Sequence, residues 1–138
     1  MSSRWVTRLI AAATMAWAGS STVALADPPA RVARISFSTG SVSFRPGTVD
    51  EWSTASLNYP LTIGDHLWTD SGARSELQLD TAVLRIAPAT ELSVLNLDDH
   101  VAQVRLTQGT VSVRVRAVDP GDTLEIDTPA GAVSLVQP

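Results

Sequence analysis

The chain has no cysteine among its 138 residues. No disulfide can staple the fold, no thiolate can act as nucleophile or zinc ligand, and no cysteine is available for lipid attachment. Stability must come from a packed core, and a chain of this length supports one domain with a core of modest size. Lysine is absent too, so all ten basic residues are arginine, which we read as compositional bias and not as function. Aromatic residues make up 5%, few for the shelf of exposed rings that a sugar-binding platform presents. No apolar run approaches the ~20 residues of a spanning helix. The longest, residues 9–19, holds about eleven residues.

Catalytic patterns are missing as well. There is no Gly-x-Ser-x-Gly elbow, no His-Glu-x-x-His pair and no glycine-rich phosphate loop. His66 and His100 stand apart at turns with no second ligand at a usable spacing. Asp98, Asp99, Asp119 and Asp122 sit in acidic turns without the Asp-x-Asp-x-Asp-Gly order of a calcium loop. The acids are scattered, and no pair stands out as the two placed carboxylates of a glycosidase. These absences exclude an enzyme of any of these types and leave no expected metal or cofactor.

What is present begins with a leader. Residues 1–8 carry Arg4 and Arg8 and no acid, residues 9–19 are apolar and alanine-rich, and Ala24, Leu25 and Ala26 form a small-x-small site. That is the pattern of a secretory signal peptide, residues 1–26, cleaved after Ala26. Residues 27–33 then read as a stiff linker through Pro28 and Pro29, and residues 34–138 as the domain. The expected location is periplasmic or secreted, with no stable membrane span after cleavage. The mature part carries eight arginines and fourteen acids, a net charge of about −6. That balance argues against nucleic acid as partner and against charge-driven binding to anionic membranes.

The domain alternates. Leu77 and Leu79, then Ala82, Leu84 and Ile86, then Ala102, Val104 and Leu106, then Val111, Val113 and Val115, then Leu124 and Ile126 each share a face, with polar residues between them. This is the period of strands with one buried side. Turn signals recur at Gly72, Asp80, Pro88, Asp98, Gly109, Pro120 and Gly131, about eight to twelve residues apart. The expected fold is all-β, a compact two-layer β-sandwich or a short β-solenoid of about 8–9 short strands. Residues 30–47 read as a hairpin turning at Thr39 and Gly40, with Ile35, Phe37, Val42 and Phe44 inward. Residues 48–60 read as a loop pinned by Trp52 and Tyr59, with room for one helical turn at residues 50–55. In residues 91–97, ELSVLNL, the apolar phase slips between Val94 and Leu97, which calls for a bulge or a sheet-switching bend. Gly72 is expected to take a positive φ. Arg105, Arg114 and Arg116 are expected on the outward face of neighbouring strands, paired with acids. The form Gly-x-Val-Ser-apolar occurs at residues 40–44, 131–135 and, with Thr110 second, 109–113. It fits stacked solenoid coils or the ordinary grammar of turn plus strand.

Four pieces carry a family resemblance in a fixed order: residues 64–79, GDHLWTDSGARSELQL; residues 84–92, LRIAPATEL; residues 106–111, LTQGTV; and residues 125–131, EIDTPAG. Together, over roughly residues 60–135, they resemble the FecR domain. The resemblance implies a periplasmic all-β domain that relays a signal by protein contact. Family members usually carry a cytoplasmic anti-sigma segment and one membrane helix before the domain; here a leader stands in their place. The resemblance therefore implies an exported, stand-alone module of the cell envelope whose partner is an envelope protein. It also implies a short form, because family members continue past a position like Pro138, which would leave the strand from Gly131 as an edge. Candidate partner-binding residues are Trp52, Tyr59, Trp68, Val133 and Leu135. Trp52 and Trp68 read either as caps over the end of the core or as part of that surface. The competing function is an envelope carbohydrate-binding or hydrolase accessory domain, for which Trp52, Tyr59 and Trp68 should form one exposed shelf.

Overall fold

A computed structural model describes residues 31–136. The expected leader, residues 1–26, and most of the expected linker lie outside the described residues. The twelve strands run in the order β1 (Ala33–Thr39), β2 (Val42–Arg45), β3 (Ser53–Thr54), β4 (Pro60–Leu61), β5 (His66–Thr69), β6 (Arg74–Leu79), β7 (Ala82–Ile86), β8 (Thr90–Leu97), β9 (Val101–Gln108), β10 (Val111–Val115), β11 (Thr123–Thr128) and β12 (Gly131–Val136). Among the described residues there is no helix. Five strands form one sheet, β10-β7-β6-β1-β4, and seven form the other, β12-β11-β9-β8-β5-β2-β3. All pairs are antiparallel except β9 with β11.

The two sheets close over one core because the alternating residues of both face it. Leu77 opposite Leu84 and Leu79 opposite Ala82 supply it from the five-stranded sheet. Leu67 opposite Leu92 and Val94 opposite Val104 supply it from the seven-stranded one. Each large side chain so enclosed contributes roughly 1.5–3 kcal/mol relative to exposure, the main stabilising term in a chain without disulfides.

The chain passes repeatedly between the sheets. β1 leads across Gly40 into β2 of the other sheet, β5 crosses at Ser71 and Gly72 into β6, β7 crosses at Pro88 and Ala89 into β8, and β9 crosses at Gly109 into β10. These crossings are bonded to one another. The N–H of Asp70 reaches the carbonyl of Ser41 at 3.0 Å, that of Ala89 reaches Asp70 at 3.3 Å, and that of Ala87 reaches Thr110 at 3.0 Å. At Gly109, φ is +94° and a Cβ would fall 2.2 Å from Thr90 Oγ1, so only glycine fits there. Gly72 has the expected positive φ, +80°, but with open space around it.

Several expectations are corrected. Residues 31–47 are not a hairpin: β1 pairs with β4 and β6, β2 with β3 and β5, and the turn between them is a corner. Phe37 does not face the core. A bulge at Ser36 shifts the β1–β6 register and turns Phe37 outward, leaving it 47% exposed. Residues 50–55 form no helical turn; Ser53 and Thr54 add a short strand to β2. The three Gly-x-Val-Ser segments lead into β2, β10 and β12, none of which neighbours another, so they are not stacked coils. Strands among the described residues number twelve, because Ser53–Thr54 and Pro60–Leu61 are two-residue stubs that show no alternation and because His66–Thr69, expected at a turn, is a strand as well. The bulge expected in residues 91–97 is present: the β8–β9 register skips Leu95, which returns Leu97 to the core.

Candidate functional site

The polar residues within the resembling stretch turn out to hold the fold. Asp65 is buried, and its carboxylate accepts the N–H of Gly47 at 3.0 Å and the N–H of Thr62 at 2.9 Å. Thr69 is fully buried; its hydroxyl donates to the carbonyl of Ala87 at 2.6 Å and accepts the N–H of Thr90 at 3.1 Å. These groups satisfy donors that strand ladders leave unpaired and are spent in doing so.

Exposed chemistry lies instead on the outer face of the seven-stranded sheet. Strand alternation points Ser43 and Arg45 of β2, His66 and Trp68 of β5, and Glu91 of β8 away from the core. Pairing then aligns them in rows: Ser43 beside Trp68 beside Glu91, and Arg45 beside His66 beside Ser93. Trp52, just before β3, folds over the second row, its ring 6.4 Å from that of His66 and edge-on to it. The Arg45 guanidinium lies 5.5 Å over the Trp52 ring and donates to Asp50 at 3.0 Å. The Trp68 indole N–H is held by Asp70 at 2.5 Å. His66 Nδ1 lies 3.5 Å from Glu91 without a hydrogen bond. Trp52, Trp68, Ser43 and Glu91 together line an open cleft of about 410 Å³.

Tyr59 does not join this face. It packs against the core with its ring 4.1 Å from that of Phe44. The three aromatic residues therefore do not make one shelf: two flank a cleft and the third is a core cap. Farther along the same face Arg105 meets Asp127 at 3.9 Å, and Gln103 donates to Glu125 at 2.8 Å. Arg105 and Arg114 are not on neighbouring strands, since β9 and β10 belong to different sheets.

The second candidate surface is β12. It is the end strand of its sheet, and Val133 is 55% exposed. The direction of its free bonding groups follows from the turn. Thr128 lies opposite Gly131, and Pro129 between them has no N–H, so this pair must bond to each other. Antiparallel alternation then bonds Val133 to Ile126 and Leu135 to Leu124. The N–H groups aimed outward are those of Ala132, Ser134 and Val136. Val133 and Leu135 thus offer side chains at the edge, not donors.

The histidines differ from the sequence expectation in position. His66 is on a strand, and only His100 is in a turn. His100 Nδ1 lies 3.2 Å from Asp122, which also pairs with Arg31. The His100 hydrogen bond first, and Arg31 after it, hold the Asp122 carboxyl below the usual aspartate value. Asp98 is lowered by the backbone N–H groups of His100 and Val101. Beside them Leu79, Ala82, Leu97, Val115 and Leu124 line a small apolar pocket at the end of the core, with Arg31 and Asp122 at its rim. Among the described residues no group of three or more His, Asp or Glu could hold a metal ion.

Sequence reasoning did not single out Ser43, Arg45 or Glu91. Alternation could have marked each as outward. Their adjacency depends on β5 pairing with β8, across two intervening strands, and no local pattern signals that.

The family model described as FecR protein matches residues 65–137, more than half of the chain and all of β5–β12. No curated protein and no solved structure matches.

Proposed function

The chain belongs to the FecR protein family, a regulatory and signalling one, and from that premise we propose that it is a non-catalytic, exported module of the cell envelope that acts by protein contact. The leader pattern of residues 1–26 supports export. The observation that carries the contact reading is the edge at β12. Two of the four sheet edges, β3 and β4, are two-residue stubs, and the third, β10, carries Arg114. Short length and charge are the usual means of blunting an edge. Residues 131–136, GAVSLV, have neither charge nor proline. Such an edge accepts a strand from a partner: main-chain bonds supply affinity, and pockets for alternate side chains supply specificity. Val133 and Leu135 would contact the incoming strand. An accessory carbohydrate-binding role is less well supported, because Tyr59 turns inward and leaves no three-ring platform.

The test uses Ser134→Pro, which removes one outward donor and leaves the main-chain bonds to β11 in place, losing only the exposed hydroxyl bond from Ser134 to Glu125. The wild-type chain should recover a discrete envelope protein from envelope extracts, and Ser134→Pro at equal folded concentration should recover several-fold less, as expected for one lost main-chain bond of ~1 kcal/mol. Equal recovery would overturn the edge as the contact.

A further inference from the structure

The cleft between Trp52 and Trp68 has a chemistry that the edge at β12 does not use. Glu91 stands in it half-buried, and its one ionic contact among the described residues is His66 at 3.5 Å. Several acids of the domain are met by arginine, Asp50 by Arg45, Glu76 by Arg85, Asp127 by Arg105 and Asp122 by Arg31, and others by hydrogen-bond donors, Asp65 by backbone N–H groups and Glu125 by Gln103. Glu91 meets no arginine among the described residues, and it lines its cleft together with two indoles. The indoles are fixed. Trp68 is held through its N–H by Asp70, and Trp52 through one face by Arg45 and one edge by His66. Arg45 on Trp52 shows that this ring already takes a guanidinium, and Asp50 meets the charge of that arginine.

Two aromatic walls and an arginine-free carboxylate complement an organic cation. The ring faces attract it through their quadrupoles, and the carboxylate supplies the counter-charge. We propose that this cleft binds the side chain of an arginine or lysine presented by a protein partner, with Glu91 as counter-ion and Trp52 and Trp68 as walls. The inference rests on the protein-contact reading but concerns a surface separate from β12. The roughly −6 net charge of residues 27–138 favours approach of a basic segment. The cleft size, about 410 Å³, is in the range that accepts one side chain with its flanking backbone.

The experiment titrates the full chain with the blocked tripeptide Gly-Arg-Gly and its norleucine counterpart, and follows the indole N–H resonances of Trp52 and Trp68. The arginine peptide should shift both signals saturably and the norleucine peptide should not. Glu91→Gln, on the surface and with unchanged melting, should weaken binding about tenfold. Equal shifts with norleucine, or unchanged affinity in Glu91→Gln, would overturn the proposal. So would a methyl glycoside that saturates the cleft where the arginine peptide does not. Tetramethylammonium saturating at the same concentration as the peptide would overturn the assignment to a peptide side chain. Because short peptides report on the cleft alone, these results are independent of Ser134→Pro: undiminished capture there with cation binding retained would sink the edge reading and not this one.

Discussion

The hydroxyl of Thr69 accepts the backbone N–H of Thr90 at 3.1 Å while donating to the carbonyl of Ala87 at 2.6 Å. Thr90 in turn accepts the N–H of Thr110 at 3.0 Å through its own hydroxyl. Two buried threonines thus join two strands, β5 and β8, and two of the crossings between sheets. Thr69→Val keeps the shape and removes the hydroxyl, leaving a buried N–H and a carbonyl without that partner. Thermal or urea unfolding should show a loss of about 1–3 kcal/mol.

Two glycines with similar backbone angles should respond differently. Gly72→Ala meets only the left-handed penalty of about 1–2 kcal/mol, since nothing stands within 4 Å of the new methyl. Gly109→Ala meets that penalty and a collision with Thr90 besides. Melting temperatures should fall further for Gly109→Ala, and equal values would show that Thr90 moves aside at no cost.

Asp65→Ala should destabilise by about 2–4 kcal/mol, because the N–H groups of Gly47 and Thr62 lose their acceptor in a half-buried site. Asp65→Asn, which keeps one oxygen acceptor, should lose less. A chemical denaturation series on the two variants separates the outcomes.

Acid should act through the Arg31, Asp122 and His100 cluster. The Asp122 carboxyl is lowered from 3.8 by the His100 hydrogen bond first and Arg31 second. A depressed acid stabilises fully above its unfolded value and loses that contribution as pH falls through the folded value. The melting temperature of the wild type should therefore decline below about pH 4, and Asp122→Asn should decline less steeply over the same range. Parallel curves would remove Asp122 from the acid response.

The buried faces could be read from residues alone because alternation is local. Leu77, Leu84, Val104 and Ile126 all point where their spacing says, and the phase slip before Leu97 announced the bulge at Leu95. Phe37 could not be placed this way: nothing in SFST marks Ser36 as the bulged residue, and one inserted residue reverses every side chain beyond it. Gly40 looked like a hairpin turn because a corner between sheets needs the same kind of residue. The cleft was half legible. Trp52 and Trp68 drew attention as large rings, but Glu91 became visible only once β5 and β8 were seen side by side.

The crossings between sheets also settle how the domain would carry mechanical load. β1 is held on both sides, by β4 and β6, and β8 by β5 and β9, so a pull on either must shear two ladders together. β12 is held by β11 alone, in a hairpin. Tension from the C-terminal side would open that hairpin one rung at a time, as a zipper, while the laced body behind it stays shut. The strand most available to a partner is thus also the one the domain can surrender first, a fuse at the end of an otherwise woven fabric.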